Sequence, residues 1–159
     1  MLLSVEPSGD STGLCQYPCE VITDDGVCHR RVYLVEASLY IRTWGIWPWL
    51  DSGKAWLPAE RITFLRSSPD RLAPKFANVI LAAGESGMGY CAFSVGLRDG
   101  SKRHFVTGNA VDFPNWPADV TPSDVVAVSV HDRDRDHQFR RPYTHELSAE
   151  YLWSPFLIA

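Results

Sequence analysis

Two Asp-Gly turns constrain this chain more than any other feature. Asp24-Asp25-Gly26 follows the β-branched run Val21-Ile22-Thr23, and Arg98-Asp99-Gly100-Ser101 follows the alternating run Cys91 to Leu97. Glycine after aspartate supplies the positive φ that a tight hairpin requires, so each turn predicts a pair of antiparallel strands. The return strands are Val27 to Glu36 and a second one carrying His104-Phe105-Val106. Further strands are expected at Leu39-Tyr40-Ile41, Glu60–Arg66, Ala110–Phe113 and Asp124–His131. Helical signals are rarer. Pro74 opens and Gly84 closes a helix over Pro74–Ala83, with Phe76, Val79 and Ile80 sharing a face. His145–Trp153 reads as a short C-terminal helix.

The two halves repeat each other. One constant offset carries Val21, Asp25, Gly26 and Val32 onto Val95, Asp99, Gly100 and Val106. A second carries Pro58, Glu60, Ile62 and Phe64 onto Pro122, Asp124, Val126 and Val128. Each half reads strand, Asp-Gly turn, strand, aromatic and proline-rich loop, strand. Internal duplication and the ordinary grammar of a β meander both produce such matches. The expected fold is mainly β (α+β). It has two three-stranded antiparallel meander units packed as a small sandwich or barrel, joined by one helix, with a short C-terminal helix. A lone three-stranded sheet is barely stable, which is why the units are expected to pack together. Residues 1–16 read as a polar acidic arm. Residues 17–159 read as one compact domain, built from units 17–68 and 88–131, connecting helix 74–83 and C-terminal segment 132–159.

Composition excludes several classes. At 159 residues, 45% hydrophobic and 21% charged, with Gly and Pro at 11 each, the chain is not collagen, a coiled coil or a disordered tail. The net charge of −4 resides in the first thirty residues, and no basic stripe is present, so nucleic acid is not an expected partner. No apolar run is long enough to cross a membrane and no basic region precedes Leu2-Leu3, so a cytoplasmic location is expected. In that compartment Cys15, Cys19, Cys28 and Cys91 are expected to be thiols. Cys15, Cys19, Cys28 and His29 are the residues a zinc site would use, but the adjacent Cys-His pair would diverge on a strand.

Four constellations carry chemistry on paper. Gly84-Glu85-Ser86-Gly87-Met88-Gly89 lies between a helix and a strand, the reverse of a phosphate-cradling order, and Glu85 would repel an anion. It reads as a cap and turn whose backbone approaches a partner, with Glu85, Ser86 and Met88 as contacts. His131, Asp132, Asp134, Asp136 and His137 hold donors for a divalent metal, but strand alternation separates the histidines from the aspartates. Cys91 or Ser86 with His104 and Asp99 forms a nominal nucleophile, base and orienter set. The fourth is a tryptophan loop. Four of the chain's six tryptophans, Trp44, Trp47, Trp49 and Trp56, fall in one loop, and Trp116 stands in the shorter loop of the second half. Pro48 stiffens that loop, and rings that the core cannot absorb become contact residues.

The expected function is an intracellular, non-catalytic binding module. It recognises a protein partner through the Trp-rich and Gly-rich loops and needs no cofactor. Two alternatives remain open. One is a metal-dependent hydrolase using the His131–His137 segment. The other is a small-molecule or sugar binder at the Trp loop.

Overall fold

The computed structural model describes residues 4–9, 13–131 and 150–157. Among the described residues the fold is mostly β with two helices. The chain divides into two compact units, Met1–Arg71 with Glu150–Ala159, and Leu72–Ala149.

The first unit is built on one five-stranded sheet. Its strands are β1 (Ser8–Gly9), β2 (Cys15–Thr23), β3 (Cys28–Glu36), β4 (Ile62–Ser67) and β8 (Leu152–Phe156). β2 lies at the centre. β3 runs antiparallel along one edge, and β1 and β4 share the other edge end to end. β8 adds in parallel beyond β3, with Val32 opposite Leu152 and Glu36 opposite Phe156. One sheet face carries Cys19, Val21, Val32, Leu34 and Leu65 into a core that Val5 and Leu57 complete. Strand alternation sends Tyr33 and Trp153 to the opposite face, where their rings stack.

Three expectations change here. Among residues 1–16, read as an acidic arm, the described ones belong to the unit: Val5 and Leu14 are buried, Ser8–Gly9 pairs with β2, and the buried Arg71 donates to the Glu6 carbonyl at 2.6 Å. Scattered apolar residues and an open strand edge suffice to hold them. Leu39-Tyr40-Ile41 is not a strand but part of helix α1 (Ala37–Trp44). The Glu36 carboxylate caps it, accepting from the Ser38 and Leu39 amides at 2.9 and 2.8 Å, and Gly45 closes it at φ 72°. The C-terminal helix expected over His145–Trp153 is contradicted where residues are described. Trp153 belongs to strand β8, because β3 offers it a free parallel edge.

The second unit holds β5 (Cys91–Leu97), β6 (Lys102–Thr107), β7 (Val125–Val130) and helix α2 (Pro74–Ala83). Its antiparallel order is β6-β5-β7. Phe93, Val95 and Leu97 alternate into a core with Phe76, Ala77, Ile80 and Leu81 of α2. Val79, expected on that face, is exposed. The sheet thus finds its apolar cover in its own helix. Burying side chains of this size is worth about 2 kcal/mol each, enough to support three strands.

The two hairpins are built alike. Val21 pairs with His29 and Ile22 with Cys28; Val95 pairs with Arg103 and Gly96 with Lys102. Gly26 donates to the Thr23 carbonyl at 2.8 Å, and Gly100 to that of Leu97 at 2.9 Å. In both, the central strand pairs on its other side with a strand that follows a 3-10 turn, and the register shifts at Ile22/Thr23 and at Gly96/Leu97. The structural match places Ile62 with Val125, one residue away from the match drawn on Pro58 and Pro122. Those prolines are not equivalent: Pro58 precedes its turn, whereas Pro122 begins one.

Candidate functional site

The tryptophan loop belongs to the first unit. α1 ends at Trp44, and a 3-10 turn over Pro48–Leu50 follows. Proline at the first position of that turn removes an amide that would lack a partner and presets φ. The Leu50 amide donates to the Trp47 carbonyl at 2.9 Å, and Asp51 to that of Pro48 at 3.0 Å. The turn brings the Trp47 and Trp49 rings into a stack, with centroids 4.9 Å apart and planes 12° from parallel. Trp49 is 55% exposed and Leu50 63%. Beside them is a cleft of about 430 Å³, lined by Ala37, Trp49, Trp56, Pro58, Phe156 and the acidic residue Glu60.

Asp51 fastens the loop from behind. Its Oδ2 accepts the Tyr40 hydroxyl at 2.5 Å, its Oδ1 the Gly53 amide at 3.1 Å, and its carbonyl the Trp56 indole N–H at 3.0 Å. The Tyr40 hydrogen bond, helped by the Gly53 amide and the charge on Lys54, holds the Asp51 carboxyl below the ordinary range. Burial and the Asp51 charge push the Tyr40 phenol up, so it remains a donor. Trp56 also bridges to Trp153 in parallel β fashion, and its ring meets Tyr40 edge-on.

No family model, curated protein or solved structure matches this chain.

The remaining candidates sort by unit. Trp116 stands in the second unit, partly buried with its ring edge-on to Phe105. In the Gly-rich loop, Met88 is 97% exposed. Glu85 accepts the Gly89 amide at 3.0 Å. Ser86 is buried and clamps Ala92, accepting its amide at 2.8 Å. That loop is a tight turn in which a Cβ on Gly87 would meet the Tyr90 ring at 2.3 Å. Ser86 is therefore committed to the backbone rather than presented to a ligand.

The nucleophile set does not assemble as drawn. Asp99 accepts from Ser101 within its own turn. Burial pushes the Cys91 thiol up to about 11, which keeps it protonated. His104 instead faces Ser94, its cross-strand partner. Ser94 Oγ lies 2.6 Å from His104 Nδ1 and 2.5 Å from His131 Nε2. A hydroxyl has one proton and two lone pairs, so at most one ring can accept from it and at least one must donate to it. The Ser94–His104 pair across β5 and β6 was readable by counting back from the Asp99-Gly100 turn, whereas His131 lies just beyond the end of β7.

The metal candidates find little together. Asp132, Asp134, Asp136 and His137 lie outside the described residues. Cys19 is buried, with Sγ 3.5 Å from the Val32 carbonyl, and burial pushes its thiol up to about 12. Cys15 pairs with Gly9 and Cys28 with Ile22, at opposite ends of β2, which separates them. Among the described residues no group of three or more His, Cys, Asp or Glu could hold a metal ion. No helix of the described residues is long and apolar enough to cross a membrane.

Proposed function

We propose that this chain is an intracellular, non-catalytic binding module that recognises a protein partner. Its main contact is the surface formed by Trp47, Trp49 and Leu50 with the cleft beside them; Met88 of the Gly-rich loop is a second contact. One observation carries the reading. Two indole rings are stacked on a proline-stiffened turn next to an apolar cleft, with Trp49 more than half exposed and Trp47 half-buried behind it. Stacking and the Asp51 bonds order these rings before any partner arrives, which lowers the entropy lost on binding. Trp is the residue type most enriched among binding hot spots. Glu60 at the rim favours an apolar anchor flanked by a basic residue. An intracellular setting is supported by four cysteines without a disulfide, Cys28 being exposed.

The test compares capture from a host extract by immobilised wild-type protein, Trp49→Ala and Leu50→Asp. Retention of a specific partner by wild type and its loss by both variants is expected. Equal retention by all three contradicts the reading.

The cleft volume favours one alternative, a small apolar or sugar ligand, because it falls within the usual range for small-molecule sites. Titration of intrinsic Trp fluorescence with a ligand panel separates the two. A saturable response without any macromolecule supports the alternative.

A further inference from the structure

The Lys54 ammonium lies over two aromatic faces, 5.0 Å from the Trp153 ring centroid and 5.8 Å from that of Trp44. Tyr40 adjoins both rings, at 6.4 Å from Trp44 and 6.1 Å from Trp153. The Asp51 carboxylate, fixed by Tyr40, adds negative charge that Lys54 feels. These groups make an aromatic box with an acidic neighbour, and a cation already sits in it.

We propose that this box is a binding site for a quaternary ammonium group, which displaces Lys54 from between Trp44 and Trp153. The site does not use the Trp49 cleft, so the proposal does not rest on the partner reading above.

The chemistry favours the exchange. A primary ammonium carries three N–H donors and is strongly hydrated; aromatic faces satisfy those donors poorly. A quaternary ammonium has no donor to leave unsatisfied and spreads its charge over methyl groups, which is why aromatic cages select it. The occupant is easily moved. Lys54 reaches the box on a flexible stem from a short turn beside Gly53, closed by a long 3.3 Å bond from the Lys54 amide to the Asp51 carbonyl. The box is also accessible, since Trp44 is 43% exposed. Tyr40 and Trp153, which are buried, form its fixed part.

Lys54 then acts as a competing ligand built into the chain, and removing it should raise affinity. Full-length wild type, Lys54→Ala and Lys54→Ala/Trp44→Ala are titrated with tetramethylammonium chloride, with sodium chloride as the ionic control. Trp fluorescence is read, and far-UV circular dichroism confirms the fold. Lys54→Ala is expected to saturate at about tenfold lower concentration than wild type, and the double variant to lose the response. Absence of a saturable response in folded Lys54→Ala overturns the proposal. So does an equal response in the double variant. Choline and a peptide bearing trimethyl-lysine distinguish the source. Tighter binding of the peptide than of tetramethylammonium assigns the group to a protein; tighter binding of choline assigns it to a free small molecule.

Discussion

The hydroxyl of Tyr40 donates to Asp51 Oδ2 at 2.5 Å, tying the middle of α1 to the residue that ends the tryptophan turn. Tyr40 is fully buried and Asp51 is only half-buried. The bond therefore anchors an exposed loop to a fixed interior point, and the same carboxylate and its carbonyl hold Gly53 and Trp56. Tyr40→Phe keeps the ring and removes the donor. It is expected to cost about 1–2 kcal/mol in urea unfolding and to loosen the Trp47–Trp49 pair, seen as a red shift of Trp emission. An unchanged midpoint and spectrum would mean that the loop is held elsewhere.

Exposure separates the tryptophans. Trp49→Ala should cost only about 1–2 kcal/mol, because more than half of its surface stays in water on folding. Trp153→Ala should cost about 3–5 kcal/mol, since it empties a site against Tyr33 and Tyr40. Denaturant midpoints of the two variants measure this directly.

Much of the fold was legible because its signals are local. An Asp-Gly dipeptide and strand alternation define β2, β3, β5 and β6, and Pro74 with Gly84 brackets α2. What escaped reading depends on distant partners or an unusual cap. α1 contains Leu39-Tyr40-Ile41, side chains that suit a strand equally well, and its N-cap is Glu36 rather than the usual Ser, Thr, Asp or Asn. β8 exists because β3 presents a free edge, which no local pattern around Trp153 announces. The site was half legible. The crowding of Trp44, Trp47, Trp49 and Trp56 marked the loop. The roles of Tyr40, Asp51 and Lys54 required the helix that places Tyr40 beneath it.

The two hairpins share their turn geometry, so they should share its cost. Gly26 and Gly100 adopt φ of 79° and 86°. Gly26→Ala and Gly100→Ala should each destabilise by about 1–2 kcal/mol, the penalty of a Cβ in the left-handed region. A neutral result at either position would show that its turn relaxes to another type.

The His104 ring is held below the ordinary imidazole value, by burial first and then by His131 and Lys102. On acidification the unfolded chain takes up this proton before the folded one does. The contribution of His104 is therefore fully present above about pH 6.5 and is lost as pH falls through the lowered folded value. Stability should rise with pH across that window, and His104→Gln should flatten the slope. A slope of opposite sign would contradict the burial of this ring beside His131 and Lys102.

The thiols should react in order of exposure. Cys28 is exposed and Cys15 half-buried, whereas burial pushes Cys19 up to about 12 and Cys91 up to about 11. Maleimide labelling followed by mass spectrometry should modify Cys28 first, and Cys19 and Cys91 only after denaturation. Rapid labelling of Cys91 in the native protein would reopen the nucleophile reading.

The central claim is that the turn carrying Trp47 and Trp49 is the face this protein presents to a partner. The most direct test is hydrogen exchange of the full chain, free and bound to the partner it captures. The account predicts new protection at the Leu50 and Asp51 amides, which close that turn. Protection confined to the β5–β7 strands, with those two amides unchanged, would contradict it.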